Sequence, residues 1–253
     1  MTRAYLDNNV IIDIEQNKLS ISELSKNIGI EITEVCYSAA HIHELNEISA
    51  KDDTEFNNRL NQRFQTISEI TKNKYLFHDL PSNDVYLQIE LPEIVYKTIN
   101  QVSFARDSMK SMMNIVTEEQ KEIFRNYLGI NMMEINNYKP NEVVEQINRK
   151  LTVLQGLSFL DLIEKGVELH PDGKTFGIHN RFAGIFELLD MIGYWKDKYN
   201  DKSNYARLWD SNHAYFGSFC DIFISNDKRT RNKACVTYNI FDFETIVCEP
   251  YKN

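Results

Sequence analysis

Three short strand candidates, AYLD, a run near Val35 to Tyr37 within the β-branched and aromatic EITEVCYS, and KYLFHDL, are separated in the first third of the chain by stretches of helical periodicity. Strands that alternate with helices pair in parallel through crossovers, so this spacing predicts an α/β core around a parallel sheet. The brief apolar run of AYLD ends in polar, turn-tolerant residues, as a buried parallel strand does, and residues 10–15 follow as a short helix. Ser20 opens S-I-S-E, a capping box with Glu23, and Gly29 stops that helix. Ser38 is a candidate N-cap for the helical spacing of Ala40, Ile42, Leu45 and Ile48, and a longer helix is expected over residues 53–71.

Beyond about residue 80 the alternation gives way to helical patterns up to residue 181. T-E-E-Q at 117–120 is a second capping box, and NEVVEQINRKLTVLQGL is strongly amphipathic. The expected organisation is therefore a core of residues 1–78 and 182–253, interrupted by a helical insertion over 79–181. Two more helices follow it, FAGIFELLDMIGYWKDKY and NYARLWDSNHAYFGSF. Then CDIFISNDKRTRNKA supplies a strand over 220–225 and a helix over 228–238, and TIVC a last short strand. Nine glycines and five prolines leave little room for long linkers. The aromatics Tyr86, Tyr96, Phe104, Phe124 and Tyr127 are read as core rather than as base-stacking platforms.

With 253 residues, 42% of them hydrophobic, the chain can bury a sizeable core. No run is long and apolar enough to span a bilayer, and MTRAYLDNN lacks signal-peptide order, so the cytoplasm is the expected compartment. Cys36, Cys220, Cys235 and Cys248 show no C-x-x-C pairing, which argues against disulfides and structural zinc. A net charge of −9 disfavours bulk attraction to nucleic acid or anionic membranes, so a polyanionic substrate requires a local basic patch or bound cations.

In open α/β sheets ligands bind beyond the carboxyl ends of the strands. Asp7 follows the first strand and Asp227 the fourth; Glu44 lies on the helix after the second, and Asp210 on the helix feeding the fourth. Several carboxylates facing one pocket raise one another's pKa unless a cation neutralises them, and an oxygen-only set suits Mg²⁺ or Mn²⁺. Asp221 is a further candidate ligand, although it begins the fourth strand and so stands at the other end. Each acid also has a plain structural reading: Asp7 and Asp227 as helix caps, Glu44 as a solvated helix residue, Asp210 as a partner in a structural hydrogen bond. Asp13 is expected to face solvent. His41 and His43, two apart on a helix, point to different faces and do not chelate one metal together, whereas His213 shares a face with Asp210 and can support the site. Lys228, Arg229, Arg231 and Lys233 form a basic cluster after Asp227, able to grip phosphates or simply solvated.

The pattern of Asp7-Asn8-Asn9-Val10 at the end of the first strand, SAAHIHEL carrying Glu44, and Asp210 followed by Ser225-Asn226-Asp227 resembles the PIN-domain nucleases, with Asn8 where that family commonly has threonine. The resemblance covers roughly residues 1–78 and 182–253. It implies a three-layer α/β/α fold and a metal-dependent endonuclease acting on RNA more than on DNA, with Mg²⁺ or Mn²⁺ as cofactor. On it Asp7, Glu44, Asp210 and Asp227 are catalytic ligands, Ser225 supports them with its hydroxyl, and Asn9 orients a ligand or phosphate. Beyond the nucleic acid, it implies an antitoxin or other protein partner and a homodimer, with no membrane. A haloacid-dehalogenase-type phosphatase would need a second aspartate where Asn9 stands, and a receiver domain would need an acidic pair beside Asp7. The rival reading is a silent scaffold whose helical insertion is an interaction surface.

Overall fold

The structure, a computed structural model, describes residues 1–100, 116–154, 156–169, 177–198 and 200–251. Phe104 lies outside them. The chain divides into two compact units. The first comprises residues 1–103, 213–227 and 244–253, and the second residues 104–212 and 228–243.

The first unit is an α/β structure built on a six-stranded sheet. In chain order it contains β1 (Arg3–Leu6), α1 (Asn8–Glu15), α2 (Ile21–Ile28), β2 (Glu34–Ser38), α3 (Ala39–Glu44), α4 (Asp53–Thr71), β3 (Lys74–Asp79), β4 (Asp84–Ile89) and α5 (Pro92–Ile99). Later segments of the chain add β5 (Ile222–Ile224) and β6 (Ile246–Cys248), giving the order β4-β3-β2-β1-β5-β6. All neighbours pair in parallel except β3 and β4. The chain thus builds outward from β1 in one direction and returns to continue from β1 in the other. The crevice between β1 and β5 is where the strand order reverses.

Local chemistry accounts for the elements. The Ser20 and Glu23 capping box closes reciprocally around the start of α2, and Gly29 ends it at φ 72°, where a Cβ would be strained. The central strands are buried along their length because helices cover the sheet: β2 is buried at every residue. Leu6, Val10, Ile11, Leu24, Tyr37, Leu45 and Ile67 share that core.

Two sequence expectations are corrected here. The segment after β3 is not wholly helical: Asn83 turns at φ 60° and β4 runs back antiparallel to β3, so the sheet is mixed. Its burial pattern is almost entirely exposed, so β4 shows no alternation between a wet and a dry face, and the periodicity that betrays a strand is missing. The core consequently extends past residue 78 through β4 and α5.

The second unit is helical. It holds α6 (Glu118–Tyr127), α7 (Pro140–Leu151), α8 (Phe159–Leu169), α9 (Gly177–Ile192), most of α10 (Asp201–Gly217) and α11 (Lys228–Phe241). Helices α9 and α11, expected in the α/β core, belong to this unit. Their apolar faces explain why, since Ile185, Leu189, Ile192 and Val236 share one core with Val143, Ile147, Phe159 and Ile163. Thr117 and Gln120 form the expected capping box. Gly193 stops α9 at φ 93°.

Candidate functional site

Three strand ends of the first unit converge on Asp7. The Asp7 amide donates to the Ile224 carbonyl at 2.8 Å, so β1 is held against β5 up to this residue, while the Asp7 carbonyl accepts from Val10 at 2.9 Å and starts α1. Its side chain caps the helix, with Oδ1 accepting the Asn8 amide at 2.7 Å. Oδ2 accepts from Ser225 Oγ at 2.6 Å and from Asn9 Nδ2 at 3.0 Å. The capping and site readings of Asp7 therefore coexist. Asn9 and Ser225 are positioning residues for this carboxylate. Ser225 Oγ also accepts the Asp227 amide at 3.1 Å, which fixes the turn leaving β5. Asn8, the departure from the PIN pattern, is held by Arg63, whose Nη1 donates to its side-chain oxygen at 3.1 Å while Glu15 takes the rest of the guanidinium.

Glu44 enters from β2 by way of α3, and His213 links the two acids. His213 Nε2 lies 2.9 Å from Glu44 Oε2 and 3.9 Å from Asp7 Oδ1. The Asp7 side chain is 3% exposed and that of Glu44 21%, so Glu44 is the solvent side of the pair. Burial pushes the Asp7 carboxyl upward and Glu44 adds to the shift, against the pull of His213 and the Ser225 hydrogen bond. Burial alone would lower His213, but the Glu44 carboxylate, its hydrogen bond and Asp7 hold it above the ordinary histidine value.

Behind this pair lies a buried polar network that the sequence reading missed. Tyr5 Oη sits 2.6 Å from Ser38 Oγ, 3.2 Å from His41 Nδ1 and 2.9 Å from His213 Nδ1. His41 Nδ1 accepts the Ser38 amide at 3.1 Å, so its proton is on Nε2, which donates to the Leu6 carbonyl at 2.7 Å. Burial and the neighbouring His213 drive His41 well below the usual histidine range, and it is neutral. When both its nitrogens are protonated, His213 donates from Nε2 to Glu44 and from Nδ1 to the Tyr5 oxygen, which leaves the Tyr5 proton for Ser38 or His41. The local signal was present: Ser38 and His41 form a capping box at i, i+3, with histidine in the place usual for Glu or Gln.

Other expected residues are placed differently. Asp221 is removed from the candidate ligands: its carboxylate accepts the Arg3 amide at 2.6 Å at the opposite end of β1 and β5 from Asp7. Asp13 does not simply face solvent, since Oδ2 accepts from Asn226 Nδ2 and Tyr251 Oη, each at 2.8 Å, and braces the exit of β5 against α1. Asp210 is half-buried on α10, in the part of that helix grouped with the second unit. Asp227 is half-buried beyond β5.

The basic cluster also falls in the second unit, and Lys233 is withdrawn from it. Lys233 is 1% exposed and its ammonium meets Asp197 at 2.8 Å and Asp190 at 3.7 Å, so no phosphate reaches it. Lys228 lies 4.6 Å over the Trp195 ring, Arg229 approaches Asp197 at 3.9 Å, and Arg231 is half-buried.

Among the described residues no three His, Cys, Asp or Glu side chains gather as a ready metal cage. Mg²⁺ does not require one, because it keeps several waters and is held by one or two carboxylates together with substrate phosphates. Asp7 and Glu44 both lie within 4 Å of the single nitrogen His213 Nε2. In kind, two carboxylates are donors of the sort such an ion takes. Comparison of the chain with protein-family models, with curated proteins and with solved structures returned no match.

Proposed function

We propose that this chain is a metal-dependent endonuclease of PIN-like, three-layer α/β/α architecture, hydrolysing phosphodiester bonds in RNA in the cytoplasm. The observation that carries the reading is the 2.6 Å bond between Ser225 and Asp7, which ties the carboxyl ends of β5 and β1 together at the point where the strand order reverses. Glu44 arrives at that point from the neighbouring strand β2, so the acids come from separate strands, with Glu44 the more exposed of the two.

On this reading Asp7 and Glu44 hold Mg²⁺ or Mn²⁺, with Asp227 as a further acid of the set. The ion supplies the charge that activates water and neutralises the phosphate oxygens. Ser225, Asn9 and the Asn8 amide fix the Asp7 oxygens, so the carboxylate is oriented before substrate arrives. His213 orients Glu44 through the 2.9 Å contact of its Nε2.

One observation favours a second reading, a non-catalytic scaffold. His213 Nε2 already lies 2.9 Å from Glu44 and 3.9 Å from Asp7, and every Asp7 oxygen already has a protein partner. Incubating the protein with structured and single-stranded RNA and DNA in Mg²⁺, Mn²⁺ or EDTA, beside Asp7→Asn, separates the two. Cleavage that needs metal and is lost in Asp7→Asn supports the nuclease. Metal-independent cleavage, or an active Asp7→Asn protein, overturns the mechanism, and absence of both cleavage and calorimetric metal binding leaves the scaffold.

A further inference from the structure

Strand β4 ends the sheet, and its outer side carries hydrogen-bonding groups that no strand among the described residues takes up. Which groups face outward follows from the ladder. The Glu90 amide donates inward to the Asn73 carbonyl at 2.9 Å, and successive residues of a strand point their amides to opposite sides. Gln88, Tyr86 and Asp84 therefore face β3, and Val85, Leu87 and Ile89 present their N–H and C=O groups outward.

Sheet edges in monomeric proteins are ordinarily blunted by lysine, proline, a bulge or brevity. Here β4 pairs with β3 through six consecutive residues without a bulge, and VYLQI contains neither a charge nor a proline. Its large side chains are in water as well: Tyr86 is 46%, Leu87 40% and Ile89 69% exposed. The edge is long, regular and apolar, and it is bracketed by carboxylates, with Asp79 and Asp84 at one end and Glu90 and Glu93 at the other. The nearest cation on β3, Lys74, is engaged by Glu34 at 2.5 Å.

We infer that the outer edge of β4 is a docking strand for an extended segment of another protein, one with alternate apolar residues between basic flanks, added to the sheet as a further strand. Backbone bonds to Val85, Leu87 and Ile89 supply the affinity of such an addition, and the flanking charges its specificity. Charge also decides against a second copy of this chain. Antiparallel self-pairing that satisfies the outward groups sets Leu87 against its counterpart and brings Asp84 opposite Glu90 at both ends, between two molecules that each carry −9. Like charges directly opposite destabilise a strand pair, whereas lysine or arginine at those positions completes it.

The probe is a fluorescein-labelled peptide, Lys-Lys-Val-Thr-Val-Thr-Val-Lys-Lys, titrated with the full chain and followed by anisotropy. Binding is expected, weakened at least about tenfold when alternate peptide amides are N-methylated and at least about tenfold when the lysines are replaced by glutamates. Leu87→Pro, which removes an amide the sheet itself does not use, is expected to weaken binding similarly at an unchanged far-UV circular dichroism spectrum. The N-methylated peptide keeps the test valid if that variant does not fold. No binding, equal binding of the N-methylated peptide, or equal binding of the glutamate-flanked peptide overturns the inference. So does a concentration-dependent dimer that Leu87→Pro abolishes, because a second copy then occupies the edge.

Discussion

Asp190→Asn probes the energetics of the second unit most directly. Asp190 is 4% exposed, and its carboxylate meets Lys121 at 2.7 Å, Arg207 at 3.4 Å and Lys233 at 3.7 Å, while Oδ1 also accepts the Asp197 amide at 2.8 Å. Asparagine keeps the shape and an acceptor for that amide but removes the charge that three buried cations share. Breaking a buried pair on one side costs about 3–5 kcal/mol. The lower end applies here, because Lys233 retains Asp197 at 2.8 Å and Arg207 retains the Glu187 carboxylate at 2.6 and 2.9 Å. A loss of about 3 kcal/mol moves a urea midpoint by about 1–3 M. Both tryptophans, Trp195 and Trp209, belong to the second unit, so intrinsic fluorescence reports on it. The pH dependence adds a second arm. Burial raises the Asp190 carboxyl, but Arg207, Lys233 and Lys121 outweigh it and hold it below the ordinary value. A carboxyl depressed on folding stabilises above its unfolded pKa of about 4, and that contribution fades as pH falls through the lower folded value. The gap between parent and variant should accordingly be full above pH ~4 and narrow below it. A loss under about 1 kcal/mol, the size of an exposed pair, or a gap that persists in acid would refute the argument.

Other perturbations have equally definite outcomes. Ser225→Ala removes the hydroxyl that donates to Asp7 at 2.6 Å, and metal-dependent cleavage should fall about 10–100-fold in kcat with little change in the urea midpoint; an unaltered kcat would deny Ser225 a positioning role. Burial lowers His43 to about 4, so unfolding takes up a proton below pH ~6.5 and stability declines as the pH drops from there to about 4. That decline amounts to about 3 kcal/mol and should flatten in His43→Gln, followed by far-UV circular dichroism in urea. Gly193→Ala should cost at least about 1 kcal/mol in the fluorescence melt, because φ is 93° and the added Cβ would meet Met132 Sδ at 2.2 Å. If the strain is in the backbone, truncating Met132 in the same chain restores part of the loss and not all of it.

What could be seen in the sequence depended on whether its cause was local. Strands β1 and β2 were visible because parallel strands buried on both faces are written as short apolar runs, and Asp7 was visible because it stands where such a run stops. Strand β4 was hidden for the opposite reason: it is wet on both faces, so its apolar residues follow no period. Lys233 was misjudged because a basic run on a helix is ordinarily solvated. Its burial is decided by Asp190 and Asp197, and nothing within a turn of Lys233 announces them. The same limit governed the site. The contact between Ser38 and His41 is a three-residue matter and could have been read as a cap, but the bonds of Tyr5 to Ser38, of His213 to Glu44 and of Ser225 to Asp7 join positions 33, 169 and 218 residues apart. A list of acids beyond strand ends nominates ligands without saying which groups will neutralise them. In this chain His213 Nε2 lies within 4 Å of both Asp7 and Glu44, which makes His213 the residue on which the metal-binding and scaffold readings differ. If the carboxylates serve an ion, His213→Gln should leave metal binding to Asp7 and Glu44 intact or tighter, since one positive charge has been withdrawn from between them. If His213 is instead their permanent counter-charge, the same change leaves two carboxylates facing each other and destabilises the first unit with or without metal.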